Sequence, residues 1–327
     1  MNTKRDREKI ITKRAHALLV VLGGGAGIAI LMQGLLSFAL PTSAESVMDV
    51  PKEIRSATTT NPFENISIEA RAVYVFRLNT STVLYAKNEN EKLPLASITK
   101  LMTALVAREY FSESAAMTLS SDDISAEGDS GLRVGERWRF GDLLNVMLLV
   151  SSNDAAHAVA SFVGSEGRVS QGINTTLARA SFVQMMNEKA LAFKFEQMQF
   201  FNESGLDVSM TQNGGYGSAR NVAELFAELW KKYPETVEIT AHKDARIFSQ
   251  DSIAHILPNT NEIVGHIPGL VASKTGFTDI SGGNLAVIFD RGIGDPVAVV
   301  VLGSSYKGRF VDVQKLITAT LNSIQNN

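Results

Sequence analysis

The sequence predicts an α/β (α+β) body in which strands from both ends of one domain form a sheet and a helical lobe is inserted between them. Three observations predict it. Two β-branched and aromatic runs open the domain, two more stand near its end, and the stretches between keep helical period. A sheet closed by both ends of the domain puts the cleft between sheet and lobe. No internal repeat is present.

Composition narrows the class. Of 327 residues, 45% are hydrophobic, which excludes a disordered chain, and none is cysteine. That removes disulfide scaffolds, cysteine nucleophiles, zinc–thiolate sites and iron–sulfur clusters. Residues 1–14 carry six basic and two acidic groups, so the rest of a chain with net charge −3 holds −7. An acidic body lacks the basic face that nucleic acid requires. No His, Asp or Glu cluster has ligand spacing, so no metal or organic cofactor is expected.

Each segment then follows in order. After the basic tail, Ala15 to Leu40 is a 26-residue run whose only polar side chains are His16, Gln33 and Ser37. About 20 apolar residues cross a bilayer, and the basic block holds its end in the cytoplasm. The expectation is a single-pass cell-membrane anchor with the remainder extracytoplasmic. A cleavable signal peptide is the rival, since Thr42-Ser43-Ala44 offers a small-residue site. The apolar run, however, exceeds the usual core of about 7–15 residues. Gly23, Gly24, Gly25 and Gly27 imitate a dinucleotide fingerprint without its soluble strand and helix. They read as small residues of a membrane helix.

Residues 41–66, rich in Pro, Ser and Thr, read as a linker, and 67–327 as one folded domain. Ala72–Phe76 and Val83–Tyr85 are strands joined around Asn79-Thr80-Ser81. From Ile98 the residues Leu101, Met102, Leu105 and Val106 share a helical face, and helical stretches continue at 141–163, 175–192 and 218–232. The glycine-rich Asn213–Gly217 reads as a loop. Asn284–Phe289 and Val297–Leu302 are strands separated by turn material, and an amphipathic helix runs from about Arg309 to Ile324.

Three short motifs carry chemistry. Ser97-Ile98-Thr99-Lys100 puts a hydroxyl at a helix start and an amine one turn on, on the same face. A neutral lysine can deprotonate a serine when burial or nearby cations lower its pKa. The bland alternative for Ser97 is a helix N-cap. A second Ser-x-x-Lys stands at Ser304–Lys307, so only helix placement favours the first. Ser151-Ser152-Asn153 follows an apolar run and reads otherwise as a helix–helix connection capped by Asn153 or Asp154. Lys274-Thr275-Gly276 is scarcer, with about 0.07 occurrences expected by chance. On an edge strand it would let an extended ligand lie against the backbone, where a Cβ at 276 would block the approach.

In this order the motifs are those of penicillin-binding proteins and class A β-lactamases. From about Val73 to Ile317 the sequence resembles the serine-type D-Ala-D-Ala carboxypeptidases, the low-molecular-mass penicillin-binding proteins. The resemblance is carried by PLASITKLMTALVA, LLVSSNDAAHAVA, FFNESGLD, SKTGFTDISGGNLAV and YKGR. It implies a β-lactamase/DD-peptidase-like fold with an antiparallel sheet, and removal of the terminal D-Ala from peptidoglycan stem peptides through an acyl-enzyme. β-Lactams are the implied inhibitors.

On that resemblance Ser97 would be the nucleophile, Lys100 its base, and Ser151 the proton relay to the leaving amine. Asn153 would hold the substrate backbone and orient Lys100. Lys274 would supply positive potential, Thr275 a hydroxyl for the substrate carboxylate, and Arg309 a guanidinium for the same group. The backbone N–H groups of Ser97 and Phe277 would form the oxyanion hole. Lys274 and Arg309 together would lower the Lys100 pKa. Relatives commonly carry glycine where this chain has Ser152.

Gly128-Asp129-Ser130-Gly131 imitates a trypsin-like nucleophile, but His157, His242, His255 and His266 lack that family's contexts. A class A β-lactamase needs a Glu-x-x-x-Asn between the second and third motifs; after Glu166 that register brings Ser170, followed by Gln171 rather than Asn. Slow deacylation of penicillin is therefore expected. DD-endopeptidase action would use the same residues, and a non-catalytic peptidoglycan-binding protein would have no need for the intact trio.

Overall fold

Pro296–Ser304 (β12) is apolar on both faces, the pattern of a strand covered from both sides, and every residue from Val297 to Leu302 is fully buried. It is the central strand of a five-stranded sheet in the computed structural model, which describes residues 61–128, 130–168 and 174–323. The other strands are Ala72–Arg77 (β1), Thr82–Lys87 (β2), Leu270–Thr278 (β10) and Gly282–Asp290 (β11). Their spatial order is β10-β11-β12-β1-β2, and every pairing is antiparallel. The two ends of the domain therefore do close one sheet, with Val75 opposite Val299.

One face of the sheet is covered by Gly308–Asn322 (α7), whose Phe310, Val313, Leu316 and Ile317 pack on Val73, Val75, Val287, Val299 and Val301. Asp312 ties that helix to the chain entering β1, accepting from Glu69 N (3.1 Å), Ala70 N (2.9 Å) and Ser304 Oγ (2.9 Å). The other face meets the inserted lobe: Lys100–Tyr110 (α1), Phe140–Leu149 (α2), Asn153–Gly164 (α3), Thr175–Ala192 (α4), Ala219–Lys232 (α5) and the short Pro234–Glu238 (α6). Small strand pairs trim the lobe. Ala116–Thr118 (β4) pairs Arg137–Arg139 (β5), and Asp244–Phe248 (β8) pairs Ala254–Pro258 (β9). Leu93–Pro94 (β3) and Gln199–Phe200 (β6) flank Gly215–Gly217 (β7).

Three expectations are corrected. The helical stretch 141–163 is two helices, broken at Val150–Ser152 because Ser151 sits at φ +62° and Ser152 caps α3, accepting from Ala155 N at 3.0 Å. Neither Asn153 nor Asp154 is that cap. Within the stretch read as linker, Phe63 is buried and stacks on Tyr85 at 5.4 Å, so its last residues belong to the body. The glycine-rich loop at 213–217 is instead partly a strand. The basic tail and the apolar run 15–40 lie outside the described residues. Among the described residues no helix is long and apolar enough to cross a membrane.

Candidate active site

Ser97 lies in a 3-10 turn, Ala96–Thr99, that leads directly into α1. The turn is held tightly. Asn213 Oδ1 accepts from Ala96 N (3.2 Å) and Gly215 N (3.1 Å), and Leu95 N donates to Gly215 O (2.8 Å). Ala96 is forced to φ +49°, a conformation that costs an alanine on the order of 1–3 kcal/mol. Gly205 (φ +82°) packs against it so closely that a Cβ would sit 1.9 Å from Ala96 O. The side-chain cap expected of a helix-start serine is absent at Ser97, whose hydroxyl turns instead to Lys100.

Lys100 is fully buried, and its amine has three neighbours: Asn153 Oδ1 at 2.7 Å, Ser204 O at 2.8 Å and Ser97 Oγ at 3.0 Å. The Asn153 amide is oriented by its Nδ2, which donates to Glu127 O at 2.7 Å, so Oδ1 must face the amine. Asn153 Oδ1 and Ser204 O only accept. A neutral amine has two N–H groups and one lone pair; these two acceptors use both N–H groups, and the lone pair is left for the Ser97 hydroxyl. Burial lowers the Lys100 pKa from 10.5 to about 7, against an opposing pull from Glu203. The expectation that Lys274 and Arg309 do this work is corrected: burial of the amine itself is the chief cause.

Lys274, on edge strand β10, is equally buried. Its Nζ lies 2.8 Å from Ser151 Oγ and donates to Thr275 O at 3.0 Å. Burial pushes this amine well below the ordinary lysine value, and repulsion from Lys100 and Arg309 adds to it. Ser151 holds its place at a left-handed φ, the second strained non-glycine residue at the site. Ser130 Oγ is 2.6 Å from Ser152 Oγ, a loop hydrogen bond with no histidine in it.

Thr275 Oγ1 pairs with Thr260 Oγ1 at 2.6 Å. Gly276 is required by packing: a Cβ there would meet Leu95 O at 2.7 Å and Ile98 N at 3.2 Å, in and beside the nucleophile's own turn. Its small size thus joins β10 to the turn bearing Ser97. Phe277 is exposed, edge-on to Tyr306 at 5.1 Å. Arg309 is not a surface residue of α7. It is buried, donates from Nη1 to Gly276 O at 2.7 Å, and is stacked by Tyr306 and Phe310 at 4.5 and 4.7 Å.

The structure therefore gathers the hydroxyls of Ser97, Ser151 and Thr275, two buried amines and a guanidinium along one edge of the sheet. Reading the sequence missed Asn213, Thr260 and the Ser204 carbonyl. Ser204 lay within FFNESGLD, and Asn213 opened the glycine-rich stretch dismissed as a loop. Thr260 had no local signal. Among the described residues no group of three His, Cys, Asp or Glu side chains is placed to hold a metal.

Comparison with known proteins follows from this geometry. The D-alanyl-D-alanine carboxypeptidase DacF of Bacillus subtilis is 30% identical over 256 residues, 76% of this chain and 61% of the relative. A D-alanyl-D-alanine endopeptidase of Escherichia coli is 27% identical, covering 87% of this chain and 86% of that protein. Penicillin-binding protein D2 from Listeria monocytogenes, solved with ampicillin bound, superposes with a TM-score of 0.64 at 27% identity, over 78% of this chain and 98% of that one. The profile of the family described as D-alanyl-D-alanine carboxypeptidase matches residues 56–305. With three quarters of its length inside that profile, the chain belongs to peptidase family S11, the D-alanyl-D-alanine carboxypeptidases.

Proposed function

We propose that the protein is a penicillin-sensitive serine D-Ala-D-Ala carboxypeptidase that trims peptidoglycan stem peptides. The observation carrying this reading is the Lys100 amine, whose hydrogen-bond partners leave its lone pair facing Ser97 Oγ at 3.0 Å. In the proposed reaction Ser97 Oγ bonds to the carbonyl carbon between two D-alanines while its proton passes to Lys100. The C–N bond then breaks, and Ser151, beside Lys274, passes a proton to the departing D-Ala amine. Water cleaves the resulting ester. Thr275 and Arg309 are the proposed receptors of the terminal carboxylate. Binding of that anion would favour the charged form of Lys274.

The sequence between the second and third motifs holds no Glu-x-x-x-Asn, the deacylating element of class A β-lactamases. The carboxylate coupled to Lys100, Glu203, is buried against His157 and Arg179, which supports slow release of penicillin. Endopeptidase action on cross-links is a second reading, favoured by the near-complete mutual coverage with the endopeptidase of Escherichia coli. We further propose that the apolar run 15–40 anchors the protein in the cell membrane with this domain outside; the basic tail and the length of the run support it.

A fluorescent penicillin tests the core of the proposal. Wild-type protein is expected to be labelled and Ser97→Ala to be unlabelled. Labelling of the variant at another residue overturns the assignment. Mass analysis of digested peptidoglycan then separates loss of D-alanine from cleavage of cross-links.

A further inference from the structure

Behind Lys100 the lobe buries a second set of charged groups for which the proposed reaction has no use. Glu203 is 3% exposed. Its Oε1 lies 3.2 Å from His157 Nε2 on α3 and 3.8 Å from Arg179 Nε on α4. Its own carbonyl accepts from Thr103 Oγ1 on α1 at 2.6 Å, and the next carbonyl along, Ser204 O, is one of the two acceptors holding the Lys100 amine. The carboxylate is thus rigidly tied, through one peptide unit, to the group that positions the base.

As a purely structural device the cluster is poor. His157 Nδ1 and Arg179 Nη1 are buried and find no hydrogen-bond partner in the protein. Such under-bonded buried charge is usually less stable than apolar packing of the same volume. Its position suggests what it does instead. Among the described residues, Lys100 and Thr103 on α1, His157 on α3 and Arg179 on α4 face Glu203. Of these only Lys100 is in contact with Ser97 Oγ. His157 is held neutral by burial, with its pKa lowered to about 4 by desolvation, Arg179 and Lys100. Burial raises the Glu203 pKa, while its backbone hydrogen bond, Arg179 and Lys100 oppose that rise and favour the carboxylate, the form that acts on the amine.

We propose that Glu203 is a positioning residue acting through Lys100: its buried carboxylate sets the potential at the amine and so the pH range over which Ser97 is acylated. The inference rests on Ser97 and Lys100 acting as nucleophile and base. The charge of Glu203 favours the protonated amine, so it keeps Lys100 a stronger base at the cost of needing a higher pH to free its lone pair.

The test is the rate of acylation by a fluorescent penicillin, measured from pH 5 to 9. The wild-type rate is expected to rise through about pH 7. In Glu203→Gln, which keeps the shape and removes the charge, the rising limb should move to lower pH by about one unit. That is about a tenfold gain relative to the variant's own plateau at pH values below both midpoints. The plateau itself should fall, since a weaker base remains. Glu203→Asp should restore the wild-type limb. If Glu203→Gln fails to fold, the Glu203→Gln/Arg179→Gln pair, which leaves neither charge unpaired, should move the limb the same way by less, since losing the Arg179 cation works against it, and a limb at or above the wild-type pH overturns the proposal. A limb that stays within 0.2–0.3 of a unit of wild type, roughly the resolution of such a titration, overturns the proposal. Failure of the wild type to label at Ser97 would instead overturn the reading beneath it.

Discussion

The two faces of the central sheet solve different problems with one set of strands. Toward α7 the strands present Val73, Val75, Leu285, Val287, Phe289, Val297, Val299 and Val301. Toward the lobe they present Ala72, Ala272, Ala286 and Ala298 beside Tyr74, Ile288, Val300 and Leu302. Branched side chains fill the first interface, and the charged groups buried on its helix, Arg309 and Asp312, lie toward that helix's N-terminal end. The alanines on the second let helices and turns approach the sheet closely, and the lobe side is where Thr99, Lys100, Thr103, Glu203, Asn213 and Lys274 are buried. Burying amines and a carboxylate is costly even when they are hydrogen-bonded. The contrast teaches that the α7 face supplies stability which the lobe face spends on a site.

The sharpest way to break that division is at Lys100. Lys100→Met keeps the volume and removes the base, so acylation by penicillin should fall about 10²–10⁴-fold while the protein still folds. Near-wild-type labelling would show that another group deprotonates Ser97, and the lobe's buried charge would lose its explanation. The complementary change is Leu316→Ala on α7. Leu316 is fully buried against the sheet, so its truncation should lower unfolding free energy by about 2–5 kcal/mol. The acylation rate per folded molecule should not change. A coupled loss of rate would mean that the two faces are not separable.

Legibility in the sequence follows the same line. The strands of the sheet and α1, α4, α5 and α7 were readable because periodicity reports which side is buried, and burial of apolar groups is what holds them. The break at Val150–Ser152 was readable as a helix–helix connection, but its cap and backbone were not, because a serine at φ +62° is imposed by tertiary contacts and contradicts local preference. The short strands β3, β6 and β7 hold too few residues to show alternation. Ser97, Lys100 and Lys274 were found as motifs, but the motifs were silent on cause. Whether cations or burial lowers the Lys100 pKa, and whether Gly276 serves a ligand or the Ser97 turn, depends on contacts between residues 95–100 and 270–278 that no spacing rule contains. Thr260 and Asn213 act through distant partners and were invisible for that reason.

The smallest effect distinguishes a buried amine from one that merely looks catalytic. Lys100 titrates at about 7 in the folded protein against 10.5 ordinarily. Between those values the unfolded chain holds a proton that the folded chain has released, so unfolding free energy should rise with pH across this window. The limiting slope for one group is about 1.4 kcal/mol per pH unit. Below pH 7 both states are protonated, and the contribution is flat at its most unfavourable. Lys100→Met removes this rise, and losing the neighbouring cation also lets Lys274 recover part of its ordinary pKa, which flattens the slope further. Denaturant titrations of both proteins at pH 7.5, 8.5 and 9.5 should therefore diverge, the wild type gaining on the variant at each step. Parallel stabilities would mean that Lys100 stays protonated in the fold, and an amine with no free lone pair could not be the base for Ser97.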